Sequence, residues 1–136
     1  MATLTCEFEM VHEEGRCVCY AFGLGAGTEG LSRADAVAMC VDYVRGYAQD
    51  FLMRDEPMPS LPLGNEPRQG GSILVVSVDT SLADVPAMSS AEAARALGLS
   101  RQRVAQLCDA GLLESWRVGA TRMVSVASVE ARKSDR

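Results

Sequence analysis

The sequence predicts an α+β protein in two parts, and three observations lead to that prediction. Residues 1–80 contain runs that predict strands and one long helical pattern, in the order β-β-β-α-β. Residues 88–136 contain short helical patterns separated by glycines, with a two-stranded hairpin among them. Residues 81–87 form the predicted linker. A chain of 136 residues is long enough for one domain or two small ones.

Two strands open the first part. Residues 3–11 alternate between two faces, which predicts a half-buried strand with one solvated side. The apolar face carries Leu4, Cys6, Phe8 and Met10, and the polar face carries Thr3, Thr5, Glu7 and Glu9. Residues 12–15 predict a hairpin turn. Residues 16–22 are apolar on both faces and predict a central strand, and a glycine-rich bend then leads to a short third strand around residues 26–29.

A long amphipathic helix is expected to begin after Ser32. The Ser32 hydroxyl can cap the helix, with Asp35 at the third helical position. Apolar residues then follow at helical spacing: Val37, Cys40, Val41, Val44, Ala48 and Phe51. Gly46 costs about 1 kcal/mol relative to alanine in a helix interior, and we expect a close backbone contact to explain it.

A proline-rich stretch follows this helix. Four prolines between residues 53 and 71 exclude a helix or a central strand and predict an extended connection. The next nine residues, SILVVSVDT at 72–80, predict a strong strand. We expect this strand at a sheet edge, where it is a candidate for pairing across a dimer.

The charges of the two parts have opposite signs. Residues 1–80 carry twelve acids and five bases, a net charge of −7, whereas residues 89–133 carry seven bases and four acids, a net charge of +3. The acidic part is expected to repel nucleic acid or attract a basic partner, although acidity also serves plain solubility. The basic part can contact phosphates.

Several function classes are excluded by the residues present. The chain has one histidine, no GxSxG and no P-loop, so we expect no enzyme, no metal and no cofactor. An odd, scattered set of cysteines without CxxC predicts buried thiols rather than disulfides: Cys6, Cys17, Cys19, Cys40 and Cys108. The first residues lack a basic patch followed by an apolar core, so we expect no secretory signal, and no apolar run approaches the roughly 20 residues of a membrane helix. A cytoplasmic location without membrane contact is therefore expected.

The second part begins with two capped helices. Ser89 and Glu92 form a capping box, Gly98 ends the first helix, and Ser100 caps the second. The expected inward side chains are Ala93, Ala94, Leu97, Val104, Leu107 and Cys108. Polar side chains begin the second helix, namely Arg101, Gln102, Arg103 and Gln106. Arginine and glutamine can bond bidentately to guanine and adenine edges.

A hairpin follows the two helices. Residues 116–118 and 122–124 predict two short strands around Gly119-Ala120, with Arg117 and Arg122 near the tip. Trp116 and Val118 are expected in the core. Ser125 can cap a last helix that extends to about Lys133.

These residues are similar to the MerR/excisionase type of winged helix-turn-helix. The run SSAEAARALGLSRQRVAQLCDAGLLESWRVGATRMVSVASVEA matches the family pattern ST-x-x-AA-x-x-L-G-x-S-x-x-x-V-x-x-L-x-x-x-G-x-L, followed by R-V-G. The resemblance implies that the partner is double-stranded operator DNA. It implies DNA contacts from Ser100, Arg101, Gln102, Arg103 and Gln106 on the helix, and from Arg117, Thr121 and Arg122 on the wing. A protein-interaction or structural use of the same helical hairpin stays open.

Residues 3–80 resemble the HicB-like antitoxin domain, a truncated, non-catalytic RNase H-like fold. The likeness lies in EEGRCVCYAFGLGAGTEGLSRADAVAMCVDYV, where residues 27–36 fit the family's T-x-G-x-[ST]-x-x-[DE]-A. Residues 23–26 replace the family's proline-rich bend with Gly-Leu-Gly-Ala. The resemblance implies an antitoxin of a type II toxin-antitoxin system, which neutralises a small basic mRNA-cleaving toxin and represses its own operon.

The predicted organisation has three parts. Residues 1–80 form a HicB-like interaction and dimerisation domain, residues 81–87 the linker, and residues 88–136 the DNA-binding domain. One small winged module buries too little surface for tight specific binding, so a homodimer or higher homo-oligomer is expected. The alternative is a stand-alone dimeric transcriptional regulator without a toxin, whose N-terminal part dimerises or senses a ligand.

Overall fold

A computed structural model describes residues 1–135. The chain forms two compact units, Met1–Ser81 and Leu82–Arg136. The first unit has the predicted order of elements: β1 (Ala2–Glu13), β2 (Arg16–Ala21), β3 (Gly27–Gly30), α1 (Arg33–Met53) and β4 (Ser72–Thr80). No helix within residues 1–135 is both long enough and apolar enough to cross a membrane.

The four strands form one antiparallel sheet in the order β3-β2-β1-β4. A two-residue turn at Glu14-Gly15 joins β1 to β2, with Glu13 opposite Arg16. The predictions that β2 is central and that β4 lies at an edge are confirmed. β1 is the other interior strand, because β2 and β4 pair with its two sides.

The core of this unit lies between α1 and one face of the sheet. The predicted apolar face of β1 is buried, as are four of the five cysteines. The residues of α1 that face the sheet are Ala36, Cys40, Val44 and Ala48. The prediction that Val37 faces inward is wrong. This side chain is 37% exposed, because the buried stripe of α1 starts one residue earlier.

The polar face of β1 is not the solvated surface that the alternation predicts. The Glu7 and Glu9 residues are only 6% and 2% exposed, because the proline-rich segment (residues 54–71) lies over them. Their carboxylates accept five backbone hydrogen bonds of 2.7–2.9 Å from the N–H groups of Gly64, Asn65, Arg68, Gln69 and Gly71. Since alternate side chains of a strand point to opposite faces, these contacts lie on the face opposite the core.

Hydrogen bonding favours the ionised form of both carboxylates and so lowers the pKa of each. Backbone donation from Asn65 and Gly64, with the Asn65 side chain, lowers the pKa of Glu7 below its ordinary 4.5. Burial raises the pKa of Glu9. The hydrogen bonds donated by the backbone of Arg68, Gly71 and Gln69 together lower this pKa by more than burial raises it, so the net shift is downward. The proline-rich segment lies outside strands and helices, so its backbone N–H groups need other acceptors. The two glutamates accept hydrogen bonds from five of them.

Gly46 is not explained by a close contact, so that expectation is wrong. A methyl group built on Gly46 would meet nothing within 4 Å. Gly30, in contrast, is crowded, because a methyl group there would lie 2.4 Å from the backbone nitrogen of Ala36. This close approach allows the end of β3 to pack against the start of α1.

The second unit begins within the predicted linker. A short 3-10 turn (Leu82–Asp84) precedes β5 (Ala87–Ser89). This strand pairs with a later strand of the unit. Its three residues are too few to show a periodicity in the sequence. The other elements are α2 (Ser90–Leu97), α3 (Arg101–Asp109), β6 (Ser115–Val118), β7 (Thr121–Ser125) and α4 (Val126–Ser134). The small antiparallel sheet has the order β5-β7-β6.

The core of the second unit is formed mainly by the predicted residues. Ala93, Leu97, Val104 and Leu107 pack with further apolar residues of the hairpin and α4. Trp116 is buried, as expected. The prediction that Val118 is a core residue is wrong, since this side chain is 61% exposed.

Candidate nucleic-acid interface

The turn between α2 and α3 is fixed by local capping. The Ser89 hydroxyl accepts from the Glu92 N–H at 3.1 Å, and the Glu92 carboxylate accepts in return from the Ser89 N–H at 3.4 Å. Gly98 ends α2 in the left-handed conformation with φ of 66°, which glycine adopts without steric cost. These contacts are specified within a few residues, so the start of α3 is held in one place.

Ser100 acts as the cap of α3. Its hydroxyl accepts a hydrogen bond from the Arg103 N–H at 3.1 Å. Loss of such a cap typically costs about 1 kcal/mol. The structure therefore gives Ser100 a structural contact, and its predicted contact with DNA stays a prediction.

The first turn of α3 presents polar side chains to solvent. Arg101, Gln102, Arg103 and Gln106 are all exposed, while Val104 and Leu107 fix the opposite side of the helix in the core. Arg103 donates to Gln106 at 3.3 Å. Within residues 1–135, Arg101 and Gln102 make no ion pair and no side-chain hydrogen bond. The structure thus brings four predicted residues together on one exposed surface.

No acid interrupts this surface at its start. The first turn of α3 contains no aspartate or glutamate, and the helix N-terminus itself carries a partial positive charge. Arg101 and Arg103 repel each other and the positive helix end in the free protein. A phosphate bound at this place reduces that repulsion. The arrangement is therefore suited to binding an anionic surface.

The hairpin places the predicted wing residues on two faces. Arg117 is exposed and lies opposite Arg122 in the β6–β7 pair, so both leave the same face of the hairpin. Thr121 lies opposite Val118 on the other face. That face lines an apolar groove of about 660 Å³ together with Trp116, which accounts for the exposure of Val118. Of the three predicted wing residues, Arg117 is the exposed arginine on the α3 side.

Arg122 makes structural contacts within this unit, and its predicted contact with DNA stays a prediction. Its guanidinium donates to the carbonyl of Ala105 at 3.2 Å and to the carboxylate of Asp109 at 2.9 Å, and its side chain is 18% exposed. The hydrogen bond to Asp109 raises the pKa of Arg122. Arg122 therefore holds β7 against α3 and neutralises an acid near the candidate surface. Sequence reasoning missed this ion pair, because its partners are 13 residues apart in different elements.

Comparison with known families identifies the second unit. Residues 87–136 match a helix-turn-helix domain family, a range that covers β5 and all the later elements. The predicted C-terminal helix-turn-helix is thus confirmed, and this suggests a DNA-binding regulatory role. No curated protein and no solved structure matches the chain. The HicB-like resemblance of the first unit stays a prediction.

Proposed function

We propose that this chain is a transcriptional regulator that binds operator DNA through α3. One observation carries the proposal: Arg101 and Gln102 are exposed in the first turn of α3 and make no side-chain bonds within residues 1–135. In helix-turn-helix proteins the first residues of the second helix face base edges in the major groove. Arginine recognises guanine and glutamine recognises adenine by paired hydrogen bonds.

Arg117 supplies a second contact in this proposal. It lies on the same face of the β6–β7 hairpin as Arg122, whose guanidinium reaches α3. An exposed arginine on the α3 side of the hairpin is suited to phosphates, which set position and affinity but not sequence. We assign base contacts to α3 and phosphate contacts to Arg117.

A salt series with duplex DNA tests the proposal. The full chain first selects its preferred sites from a random duplex library, and fluorescence anisotropy then measures affinity for the selected duplex. The logarithm of affinity should fall linearly with the logarithm of salt, with a slope of about −0.9 per phosphate contacted. Arg117→Ala should reduce that slope by about 1 and weaken all sequences alike.

Arg45→Ala is the matched control for this experiment. Arg45 is an exposed arginine of the first unit that pairs with Asp42 at 3.3 Å, so its loss removes the same charge without removing a proposed contact. If the chain binds no duplex at low salt, the DNA-binding proposal is wrong. Equal effects of Arg117→Ala and Arg45→Ala would reject the role assigned to Arg117.

We also propose that the first unit binds a small basic mRNA-cleaving toxin, so that the chain is the antitoxin of a type II system and represses its own operon. The β-β-β-α-β order and the residues at 27–36 support this proposal. The acidity of residues 1–80 gives further support, although Glu7 and Glu9 are buried and leave ten acids against five bases. An acidic surface favours a basic partner.

Recovery of the tagged protein from its own host, after nuclease treatment, tests the antitoxin proposal. Intact mass should reveal a small basic protein at stoichiometric amount. The purified partner should cleave RNA, and addition of this chain should stop the cleavage. Recovery of the chain alone would instead favour a stand-alone dimeric regulator.

A further inference from the structure

β4 is a long edge strand with little of the usual protection against pairing. It has nine residues, each opposite a residue of β1, and it forms one side of the sheet. β3, at the other side, has only four residues. Edge strands are commonly blocked by prolines, lysines, bulges or short length. The sequence SILVVSVDT contains no proline or lysine, and Asp79 is its one charged residue.

The hydrogen-bond pattern of β1 identifies the backbone groups at this edge. The Glu7 carbonyl accepts from the Phe22 N–H at 2.9 Å, so the Glu7 backbone faces the β2 side. Val75 lies opposite Glu7 on β4. Because the two residues of a non-hydrogen-bonded antiparallel pair point away from each other, the Val75 backbone points outward. By alternation, the N–H and C=O groups of Ile73, Ser77 and Asp79 also point away from β1.

We infer that β4 pairs antiparallel with β4 of a second copy of this chain, about a two-fold axis at Val76. In this register Ile73 lies opposite Asp79 of the second copy, and Val75 lies opposite Ser77 of the second copy. Every outward-facing residue therefore meets an outward-facing residue, and no two like charges are opposed. The two four-stranded sheets become one continuous sheet.

The composition of the edge favours a second copy over an unrelated partner. Val75 is 56% exposed, more than any other large apolar side chain in the four strands, and pairing would cover it. An isologous contact requires a surface that is complementary to itself, and the whole length of β4 meets this requirement in a single register. The inference rests on the proposed function in one respect, since it names the surface of the homodimer that operator half-sites require.

Proline at Ser77 separates edge pairing from folding. Ser77→Pro removes one outward N–H and leaves the β1–β4 hydrogen bonds in place, because proline is tolerated on the solvent side of an edge strand. Ser77→Ala is the matched control, since both substitutions remove the 2.8 Å contact between the Ser77 and Thr5 hydroxyls. Sedimentation of the full chain without DNA should give a dimer for wild type and Ser77→Ala. For Ser77→Pro we expect a dimer dissociation constant raised roughly tenfold or more.

Amide hydrogen exchange of the unaltered protein gives a test that does not depend on a variant. The amides of Ile73, Val75, Ser77 and Asp79 should be protected at high protein concentration and exchange rapidly on dilution. The intervening amides at 74, 76 and 78 should stay protected, because they bond to β1. A chain that is monomeric at all concentrations, or a dimer with unprotected odd-numbered amides, would overturn the inference.

The same measurements distinguish this inference from the DNA-binding proposal. A chain that binds its selected duplex without forming a β4 dimer rejects the inference and keeps the proposed function. A β4 dimer that binds no duplex does the reverse.

Discussion

The two units use charged side chains in opposite ways. In the N-terminal unit, Glu7 and Glu9 are buried and accept hydrogen bonds from the backbone of the proline-rich segment. In the C-terminal unit, Arg101 and Arg117 are exposed and form no ion pair within residues 1–135. The net charge of a segment therefore does not describe the charge of its surface. A charge that is satisfied internally supports the fold, and an exposed charge without a partner is available to a ligand.

Solvation explains this division. A carboxylate on a covered strand face must have donors, and an irregular segment must have acceptors for its N–H groups, so each satisfies the other. A guanidinium at a helix start stays in water at little cost until a partner displaces that water. Breaking each arrangement should therefore affect a different property of the protein.

The largest effect is expected from removing both internal carboxylates. In the double variant Glu7→Gln with Glu9→Gln, side-chain amide groups replace acceptors of backbone N–H groups. We expect the melting temperature of the N-terminal unit, followed by circular dichroism, to fall by roughly 10 °C, with unchanged affinity for duplex DNA. Glu29→Gln is the control, because Glu29 pairs with Arg16 on the surface. A melting temperature equal to that of the control would mean that apolar contacts alone hold the segment.

The pH dependence of stability should distinguish the same two carboxylates. Their folded pKa values lie below the ordinary 4.5, so the stability they contribute is present above pH 4.5 and is lost as the pH falls through the lowered values. Thermal unfolding from neutral to acid pH should show this loss in the unaltered chain. The Gln variant should depend less on pH in that window, and identical profiles would contradict the assignment.

The exposed residues of α3 should affect binding without affecting stability. We expect Arg101→Ala with Gln102→Ala to weaken binding to the selected duplex roughly 10- to 100-fold, since two base contacts are removed. The melting temperature should stay unchanged. Arg33→Ala, at an exposed arginine that begins α1, is the control for charge. A loss of stability as large as the loss of affinity would show that the two residues are structural.

Arg122 belongs to the C-terminal unit, but it is mostly buried and forms an internal ion pair. A double-mutant cycle should measure its contact with Asp109. We expect a coupling energy of about 0.5–1 kcal/mol, because the Asp109 side chain is 71% exposed and the pair is partly screened. Chemical denaturation of Arg122→Ala, Asp109→Ala and the double variant gives this value. A coupling near zero would leave the 3.2 Å bond to Ala105 as the main contact of Arg122.

The smallest effect is expected at a position without a structural contact. Gly46→Ala should stabilise the N-terminal unit by roughly 0.4–1 kcal/mol, since the site has open space and glycine is a poor helix former. Gly30→Ala should do the opposite, because its methyl group would lie 2.4 Å from a backbone nitrogen. Denaturant unfolding compares the two. A loss of stability in Gly46→Ala would contradict the open space at this site.

Short-range patterns in the sequence determined most of the elements and the outline of the candidate site. The buried apolar face of β1, the Ser89–Glu92 capping box and the glycine turn at Gly98 each involve residues two to four positions apart, and the structure has all three. Neighbouring residues also predicted the polar first turn of α3, and this turn is exposed in the structure. The helix-turn-helix was therefore predictable, because capping and amphipathicity are set by neighbours along the chain.

Contacts between distant parts of the sequence set how the remaining side chains are used. Glu7 and Glu9 are buried because a segment 57 to 62 residues away in sequence lies over them. The alternation of β1 alone predicted that they are solvated. Arg122 turns to α3 rather than to solvent because its guanidinium bonds to Ala105 and Asp109, which are 17 and 13 residues away in sequence. A periodic pattern specifies which face of an element is polar. Whether that face meets water, another segment or a partner depends on contacts between residues far apart in sequence.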